Sequence, residues 1–256
     1  RVQANAGDLA KLALDSKLVD GLKTPDEMEK LLAQRGAKDE GKDADPFRQI
    51  GMYDYLAQNR PAPAILDHQA KVAVVVAQGE INPGKQPQGT VGGDSTSELI
   101  RRAREDDDVK ALVLRVDSPG GVVFPSEQIR REVALTKAAG KPVVVSMGNV
   151  AASGGYWISM NADRIYADPS TITGSIGIFG LIPTLPRALD KLGAHSDGVG
   201  TTRFAGAFDI TRQLDPAVGD VIQSVIEKGY RDFTGRVAQA RKRSVDQIDD
   251  VARGRV

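Results

Sequence analysis

From residue 71 onward, short apolar runs rich in β-branched residues alternate with longer amphipathic segments. The apolar runs predict buried strands, because a strand covered on both faces needs apolar residues at successive positions. Strands separated by helices predict βαβ units and a mostly parallel sheet, which is an α/β fold. The predicted strands lie at Val72–Ala77, from Leu112, at Val143–Val145 and at Arg164–Ala167, and the helices between them at Asp94–Arg104 and Pro125–Ala139.

Both ends of the chain have apolar residues at helical spacing. The proline-containing stretch Asn59–Asp67 predicts a linker, and His68 follows it. We therefore expect a small helical part with its linker at residues 1–66 and an α/β domain at residues 67–256. The terminal helices are predicted at Gly7–Leu22, from Thr24, at Pro216–Lys242 and from Asp246. The helix from Thr24 is predicted to bury Met28, Leu31 and Leu32.

The composition excludes several classes of function. Lysine plus arginine and aspartate plus glutamate number 34 each, so the net charge favours no nucleic-acid partner. The absence of cysteine excludes disulfides and thiolate metal sites, and we expect neither a metal nor an organic cofactor. No apolar run approaches the roughly 20 residues that span a bilayer, so any membrane anchor is expected to lie outside this chain.

A candidate nucleophile follows the strand that begins at Val143. The residues from Val143 to Trp157 read V-V-V-S-M-G-N-V-A-A-S-G-G-Y-W. The β-branched run stops at Ser146, and the next glycine and asparagine, Gly148-Asn149, predict a sharp turn. Ser153 lies between two alanines and two glycines, which leave room for another backbone segment near its hydroxyl. This arrangement is typical of an activated nucleophile, although a serine in a structural turn has the same local sequence.

A second glycine pair follows the strand that begins at Leu112. Ser118-Pro119-Gly120-Gly121 ends an apolar run, and a helix is predicted to follow. The two glycines free the backbone to direct amide N–H groups at a ligand near a helix N-terminus. Fixed N–H donors of this kind form an oxyanion hole, although a strand-to-helix loop also uses glycines. In a parallel sheet, Gly120, Gly121 and Ser153 are expected at one edge, where binding sites lie.

The segment Thr171–Gly180 carries an unusual number of glycines for a strand, with isoleucines and a phenylalanine between them. One interpretation is a tightly packed crossover. The other is a substrate-binding edge, to which an extended peptide adds as a strand while apolar side chains line pockets. The residues predicted to bind substrate here are Gly120, Gly174, Ile176 and Gly177.

These motifs resemble those of the signal peptide peptidase A family (peptidase family S49). Its members are Ser/Lys serine proteases within the Clp-protease and crotonase superfamily. The resemblance covers about Lys71 to Val256. It implies a Clp/crotonase-like core, a Ser153 nucleophile, oxyanion amides at Gly121 and Gly154 with Gly120 as an alternative, and Ser175 as the residue that positions a lysine base. It is carried by Val91–Asp94, Leu114–Gly121, Lys141–Ser159 and Thr171–Gly180.

The base is the difficulty in this prediction. The family uses a neutral lysine, but the matching stretch here, Thr202–Gly206, has Arg203 and Ala205 where lysines are expected. The resemblance therefore implies the carboxy-terminal half of a double-length form, whose upstream half supplies the lysine. Within the chain, the formal candidates are His68, His195, Lys85, Lys137, Lys141 and Lys191.

The expected function is endopeptidase cleavage of hydrophobic peptides such as released signal peptides. The resemblance also implies a homo-oligomer at the periplasmic face of a bacterial inner membrane, and a fragment that is inactive alone. Two alternatives stay open: a non-catalytic assembly half of an oligomeric ring, and an acyl-CoA enzyme of the crotonase type.

Overall fold

The computed structural model describes residues 2, 5–37 and 70–255. Contacts divide the chain into one unit of residues 1–12 with 71–256 and another of residues 13–70. The predicted boundary at residues 66 and 67, the linker Asn59–Asp67 and His68 lie outside the described residues. The domain division therefore stays a prediction.

The central sheet is parallel, with strand order β1-β4-β5-β6, and β7 also pairs with β5. A separate short parallel pair joins β2 to β3. This topology confirms the predicted α/β class with a mostly parallel sheet. The strands are β1 Lys71–Gln78, β2 Ile81–Asn82, β3 Val91–Gly92, β4 Val109–Ser118, β5 Val143–Ala152, β6 Arg164–Tyr166 and β7 Ile172–Gly174.

The described helices include the predicted crossovers α3 and α4, which pack against each other on the sheet. Apolar residues of these helices and of β1, β4 and β5 form the main core, because each strand turns one row of side chains towards the helices. The helices are α1 Leu9–Asp15, α2 Pro25–Arg35, α3 Gly93–Glu105, α4 Val123–Ala138, α5 Gly154–Ser159, α6 Pro186–Lys191, α7 Pro216–Arg241 and α8 Val245–Val251.

A second cluster joins α5 to α7 and α8. Trp157 and Met160 pack there against Phe233, Val237 and Ile248, all of them buried. The Trp157 and Phe233 rings lie 4.4 Å apart between centroids and are tilted by 44°. The long C-terminal helix is therefore anchored directly behind the segment that follows Ser153.

Three local predictions were wrong. The predicted helix Gly7–Leu22 ends at Asp15, because Lys17 adopts a left-handed φ of 55° and the N–H of Leu18 returns to Ala13 O. In α2, Met28 and Leu32 are exposed, although they were expected on a buried face. Their apolar spacing reflects helix periodicity alone, since helical spacing does not specify what covers a face.

The third wrong prediction is the sharp turn at Gly148-Asn149. Strand β5 continues through these two residues to Ala152. The pairing of β4 with β5 shifts register there, between Val116 and Ser118. The carboxylate of Asp117 accepts the Val150 N–H at 3.1 Å, and a Cβ on Gly148 would lie 2.7 Å from the Asp117 Cγ. The glycine therefore makes room for a side chain and does not turn the strand.

Candidate active site

Ser153 occupies a strained turn between β5 and α5. Its φ of 50° and ψ of −116° lie outside the regions that L-residues normally occupy, a conformation that costs on the order of 1–3 kcal/mol. The turn is held in place because the Ser153 N–H donates to Gly174 O at 3.0 Å and the Ser153 carbonyl accepts from Trp157 N at 2.9 Å. A strained serine at a sharp strand-to-helix turn presents its hydroxyl outward, as in nucleophile elbows.

The glycine pair after β4 lies directly beside this serine. Both glycines have positive φ angles, 104° for Gly120 and 154° for Gly121. A Cβ on Gly120 would lie 2.5 Å from Gly154 N and 2.9 Å from Ser153 Cβ, so only glycine permits this approach.

The loop is pinned to β2 by hydrogen bonds on either side of Gly121. The Ile81 N–H donates to Gly120 O at 2.8 Å, and the Val122 N–H donates to Ile81 O at 2.9 Å. A parallel bridge of this kind turns the N–H of the intervening residue, Gly121, away from Ile81.

Two backbone donors are thereby left near Ser153. Within residues 5–37 and 70–255, neither the Gly121 N–H nor the Gly154 N–H has a hydrogen-bond acceptor. A Cβ on Gly154 would lie 3.1 Å from Gly121 N, so the two glycines are neighbours. The Gly120 N–H, the alternative donor, instead donates to Ser118 Oγ at 3.1 Å. Two free N–H groups beside a serine can hold an oxyanion that forms on a substrate carbonyl.

Ser175 lies in the wall of the groove that contains Ser153. It also has a positive φ, 47°, and its N–H donates to Arg255 O at 2.6 Å. The Ser175 hydroxyl has no hydrogen-bond partner in the described part of the chain, so it is available to a group that enters the groove.

The three other predicted residues of this segment have different surroundings. Gly177 lines both cavities beside Ser153. Gly174 contributes its carbonyl to the Ser153 turn, and Ile176 is buried in the second cluster with its carbonyl accepting from Gly254 N at 3.2 Å. Their assignment to substrate binding stays a prediction.

Two cavities open beside Ser153. The smaller has a volume of about 80 Å³, and the larger is an open groove of about 930 Å³. Both are bordered by Gly121, Gly177, Ile178 and Phe179. The remaining lining of the small cavity is Val123, Ser126, Gly154, Trp157 and Phe233. This lining is mostly apolar, so the small cavity suits an apolar side chain.

Sequence reasoning missed the contributions of α4 and α7 to the small cavity. Ser126 and Phe233 lie 27 residues before and 80 residues after Ser153 in the chain, and no local motif marks them. Trp157 is 3% exposed and also lines the cavity.

No formal candidate for the base that lies in the described residues lines either cavity. His195 is exposed and pairs with Asp190 at 3.2 Å. Lys137 donates to Asn161 O, Lys141 donates to Asp106 O, Lys85 pairs with Glu98, and Lys191 is exposed. Arg203 lies over the Phe204 ring at 5.3 Å.

One titratable group of the larger groove, Tyr230, is also unsuited to be a base. Burial raises the pKa of Tyr230. The neighbouring Asp249 carboxylate, which accepts a hydrogen bond from the Tyr230 hydroxyl, raises this pKa further. The hydroxyl therefore stays protonated.

Among the described residues, no group of histidine, aspartate and glutamate side chains has the arrangement of a metal site. No described helix has both the length and the hydropathy needed to cross a bilayer.

The solved structures that match part of this chain include two proteases. One is a mutant of the 1510-N membrane-bound stomatin-specific protease, with a TM-score of 0.41, 17% identity, and coverage of 72% of this chain and 70% of that one. The other is a mutant of ClpP1 from Listeria monocytogenes, with a TM-score of 0.37 and 16% identity. The match covers 69% of this chain and 77% of that one.

Sequence relatives are closer. The chain is 50% identical to Protease 4 of Salmonella typhi over 250 residues, which is 98% of this chain and 39% of that protein. It is 46% identical to Protease 4 of Haemophilus influenzae over 79% of this chain and 33% of that protein. It is also 36% identical to Serine protease SPPA, chloroplastic, of Arabidopsis thaliana, over 73% of this chain and 28% of that protein. The chain thus spans less than half the length of each of these relatives.

Residues 136–256, which include Ser153, Gly154, Ser175 and Gly177, match the family model described as Peptidase family S49. Together with the relatives, this match identifies a peptidase family S49 domain over residues 136–256.

Proposed function

We propose that this chain carries the nucleophile and the oxyanion hole of a serine endopeptidase. The observation that supports the proposal best is the strained Ser153 turn with the free N–H groups of Gly121 and Gly154 beside it. The names of the relatives, which are proteases, agree with this chemistry. Strained backbone conformations persist only where the surrounding structure enforces them, and they cluster at active sites. The strained turn is therefore better explained by a reacting serine than by a simple loop.

In the proposed reaction, Ser153 Oγ forms a bond to the carbonyl carbon of the scissile peptide, and a neutral amine takes its proton. The negative charge on the carbonyl oxygen is held by the N–H groups of Gly121 and Gly154. The C–N bond then breaks, and the leaving amine takes the proton from the protonated base. Water hydrolyses the resulting Ser153 ester by the same sequence, which restores the serine.

The substrate is proposed to be an extended apolar peptide. None of the N–H groups of residues 177–179 donates to an acceptor in the described ranges, so this segment offers a free backbone edge beside Ser153. An extended peptide that pairs with this edge alternates its side chains, and one of them enters the 80 Å³ cavity. Phe179, which borders the groove, is 89% exposed and adds to its apolar surface.

The lysine base is proposed to come from outside the described residues. The lysines at positions 85, 137, 141 and 191 border neither cavity at Ser153. The chain also spans 39% of the length of Protease 4 of Salmonella typhi, so an upstream segment of the same protein is the proposed source. Ser175, whose hydroxyl faces no described partner, is proposed to hold the lysine amine near Ser153.

We also propose that the chain assembles into a homo-oligomer and acts at the periplasmic face of the inner membrane. Exposed large apolar side chains, such as Phe124 at 66% and Phe179 at 89%, support assembly, because exposed apolar surface favours association. Sedimentation equilibrium tests the assembly, and protease accessibility of the full-length protein in spheroplasts tests the location. A monomer in the first experiment or a protected protein in the second would reject the corresponding proposal.

The decisive experiment is intact-mass labelling with a serine-reactive fluorophosphonate. The chain is labelled alone and after addition of the upstream segment, with Ser153→Ala as the control for the labelled site. We expect labelling of Ser153 only when the upstream segment is present, because a serine without a base reacts poorly.

Each other outcome corrects a different part of the proposal. Rapid labelling of Ser153 in the chain alone would place the base within these 256 residues and reject the shared site. Absence of labelling, with binding of the upstream segment demonstrated, would reject the peptidase function. An assembly role would then be favoured, or, if acyl-CoA thioesters bind, a crotonase-type enzyme.

A further inference from the structure

The carboxylate of Glu127 joins three helices behind the small cavity. On α4, Arg130 donates to it twice, each time at 2.7 Å. From α5, the Trp157 Nε1–H donates to Glu127 Oε2 at 2.8 Å. From α7, Arg236 Nη1 lies 3.3 Å from Glu127 Oε1. One side chain therefore links these three helices next to the segment that follows Ser153.

The Trp157 indole is the part of this network that reaches the site. It forms a wall of the 80 Å³ cavity together with Phe233, against which it is tilted. Packing restricts the buried indole to few rotamers, and the hydrogen bond from its Nε1–H favours the one observed. Ser126, the neighbour of Glu127 in the chain, lines the same cavity, so the cavity wall and its support lie on adjacent residues.

A more deeply buried carboxylate on α4, that of Glu132, provides a comparison. Glu132 is 4% exposed and pairs with Arg101 at 3.2 Å and Arg104 at 3.4 Å, but it lines no described cavity. Burial raises the pKa of Glu127, but the hydrogen bonds and charge of Arg130, with Trp157 and Arg236, outweigh it and lower the pKa overall. Glu127 is therefore ionised, and because its side chain is 28% exposed, its ion pairs are only partly buried and usually add little net stability. Its placement against the cavity wall points to a role in shape.

We propose that Glu127 is a positioning residue that holds the Trp157 indole and so limits the cavity beside Ser153 to aliphatic side chains. The inference rests on the proposed function, since it assumes that the cavity receives a side chain of the peptide. The volume favours small apolar side chains, because this cavity is about 80 Å³, whereas an apolar cavity known to hold benzene is about 150 Å³. Alanine, valine and leucine side chains therefore fit the cavity better than a phenyl ring does.

The test measures binding of product-like peptides to the chain by fluorescence anisotropy. The probes are dye-labelled pentapeptides ending in alanine, leucine or phenylalanine, whose terminal carboxylate takes the place of the oxyanion at Gly121 and Gly154. We expect the unmodified chain to prefer the leucine peptide to the phenylalanine peptide at least about 10-fold, the lower range for apolar pockets. Glu127→Ala is expected to reduce this preference below about 3-fold, because the freed indole moves and the cavity enlarges.

The controls separate positioning from general stability. Glu132→Ala removes from the same helix a buried carboxylate that pairs with two arginines, and it is expected to keep the preference. Glu127→Gln retains an acceptor for the indole N–H and is expected to restore most of it. Trp157 is the single tryptophan, so its emission is expected to shift to longer wavelength in Glu127→Ala and not in Glu132→Ala.

A preference that survives in folded Glu127→Ala, or is lost equally in Glu132→Ala, would overturn the inference and leave the proposed function intact. If Glu127→Ala does not fold, Trp157→Phe decides, since it removes the N–H but keeps a ring, and an unchanged preference would overturn the inference. Failure of the unmodified chain to bind any of the three peptides would reject the peptide site itself, and the inference with it.

Discussion

Gly154→Ala is the substitution that tests the oxyanion hole most directly. The added methyl would lie 3.1 Å from Gly121 N and 2.7 Å from Ser126 Oγ. Gly154 does not have a left-handed φ, so the change introduces no backbone strain of its own. The methyl must either cover the Gly121 donor or displace the loop that carries it. Loss of one oxyanion donor lowers turnover by about 10²–10³-fold, which corresponds to roughly 2.7–4 kcal/mol.

The stability effect of Gly154→Ala is separable from its effect on reaction rate. Crowding against Ser126 Oγ is expected to cost about 1–3 kcal/mol, the usual range for overpacking. Ser126→Ala removes the crowded oxygen, so the double variant Gly154→Ala/Ser126→Ala is expected to recover the unfolding midpoint. The contact with Gly121 N is unchanged in the double variant, so its reaction rate is expected to stay low.

The assay measures the fluorophosphonate labelling rate of Ser153 with the upstream segment present, and the thermal unfolding midpoint of each variant. Gly235→Ala is the matched control, because it is a helical glycine whose added methyl meets no atom within 4 Å. It is expected to keep the rate and to gain up to about 1 kcal/mol of stability. The reasoning would be refuted if Gly154→Ala reacted as fast as the unmodified chain, or if the double variant recovered the rate together with stability.

Three further predictions follow from named contacts. Ser175→Ala is expected to slow labelling of Ser153 about 10- to 100-fold with little change in unfolding midpoint, because it would misplace the base without altering the core; an unchanged rate contradicts its role. Phe233→Ala is expected to lower the free energy of unfolding by about 3–5 kcal/mol in urea titrations, since Phe233 is fully buried against Trp157, and a loss below about 1 kcal/mol contradicts this packing. The lowered pKa of Glu127 stabilises the fold above the usual value of 4.5, and this contribution is lost as the pH falls below 4.5 through the folded-state pKa. The difference in unfolding midpoint between the unmodified chain and Glu127→Gln is therefore expected to shrink in acid, and a difference that grows in acid would contradict the sign.

The local sequence determined the strands of the sheet and the place of the candidate site. The β-branched runs at Val72 and Val143 specify strands because their side chains fit a buried pleated surface. The glycines around Ser153 and after Ser118 marked where two backbones approach, since only residues without a Cβ permit the contacts found there. These signals lie within a few residues of the feature they specify.

Other features depended on residues far apart in the chain. The Ser153 φ of 50° is imposed by hydrogen bonds to Gly174 and Trp157, and the absence of a turn at Gly148 depends on Asp117 in the neighbouring strand. Helical spacing in α2 predicted buried Met28 and Leu32, which are exposed, because periodicity does not reveal what packs against a helix.

The shape of the cavity beside Ser153 was decided by tertiary structure alone. Glu127, Trp157 and Phe233 come from α4, α5 and α7, and their contacts form only when the helices pack. Local sequence specifies backbone conformation through propensity and patterning, whereas a cavity wall results from side chains that meet across the fold. The motif therefore located the serine, and the packing of three distant segments set the space beside it.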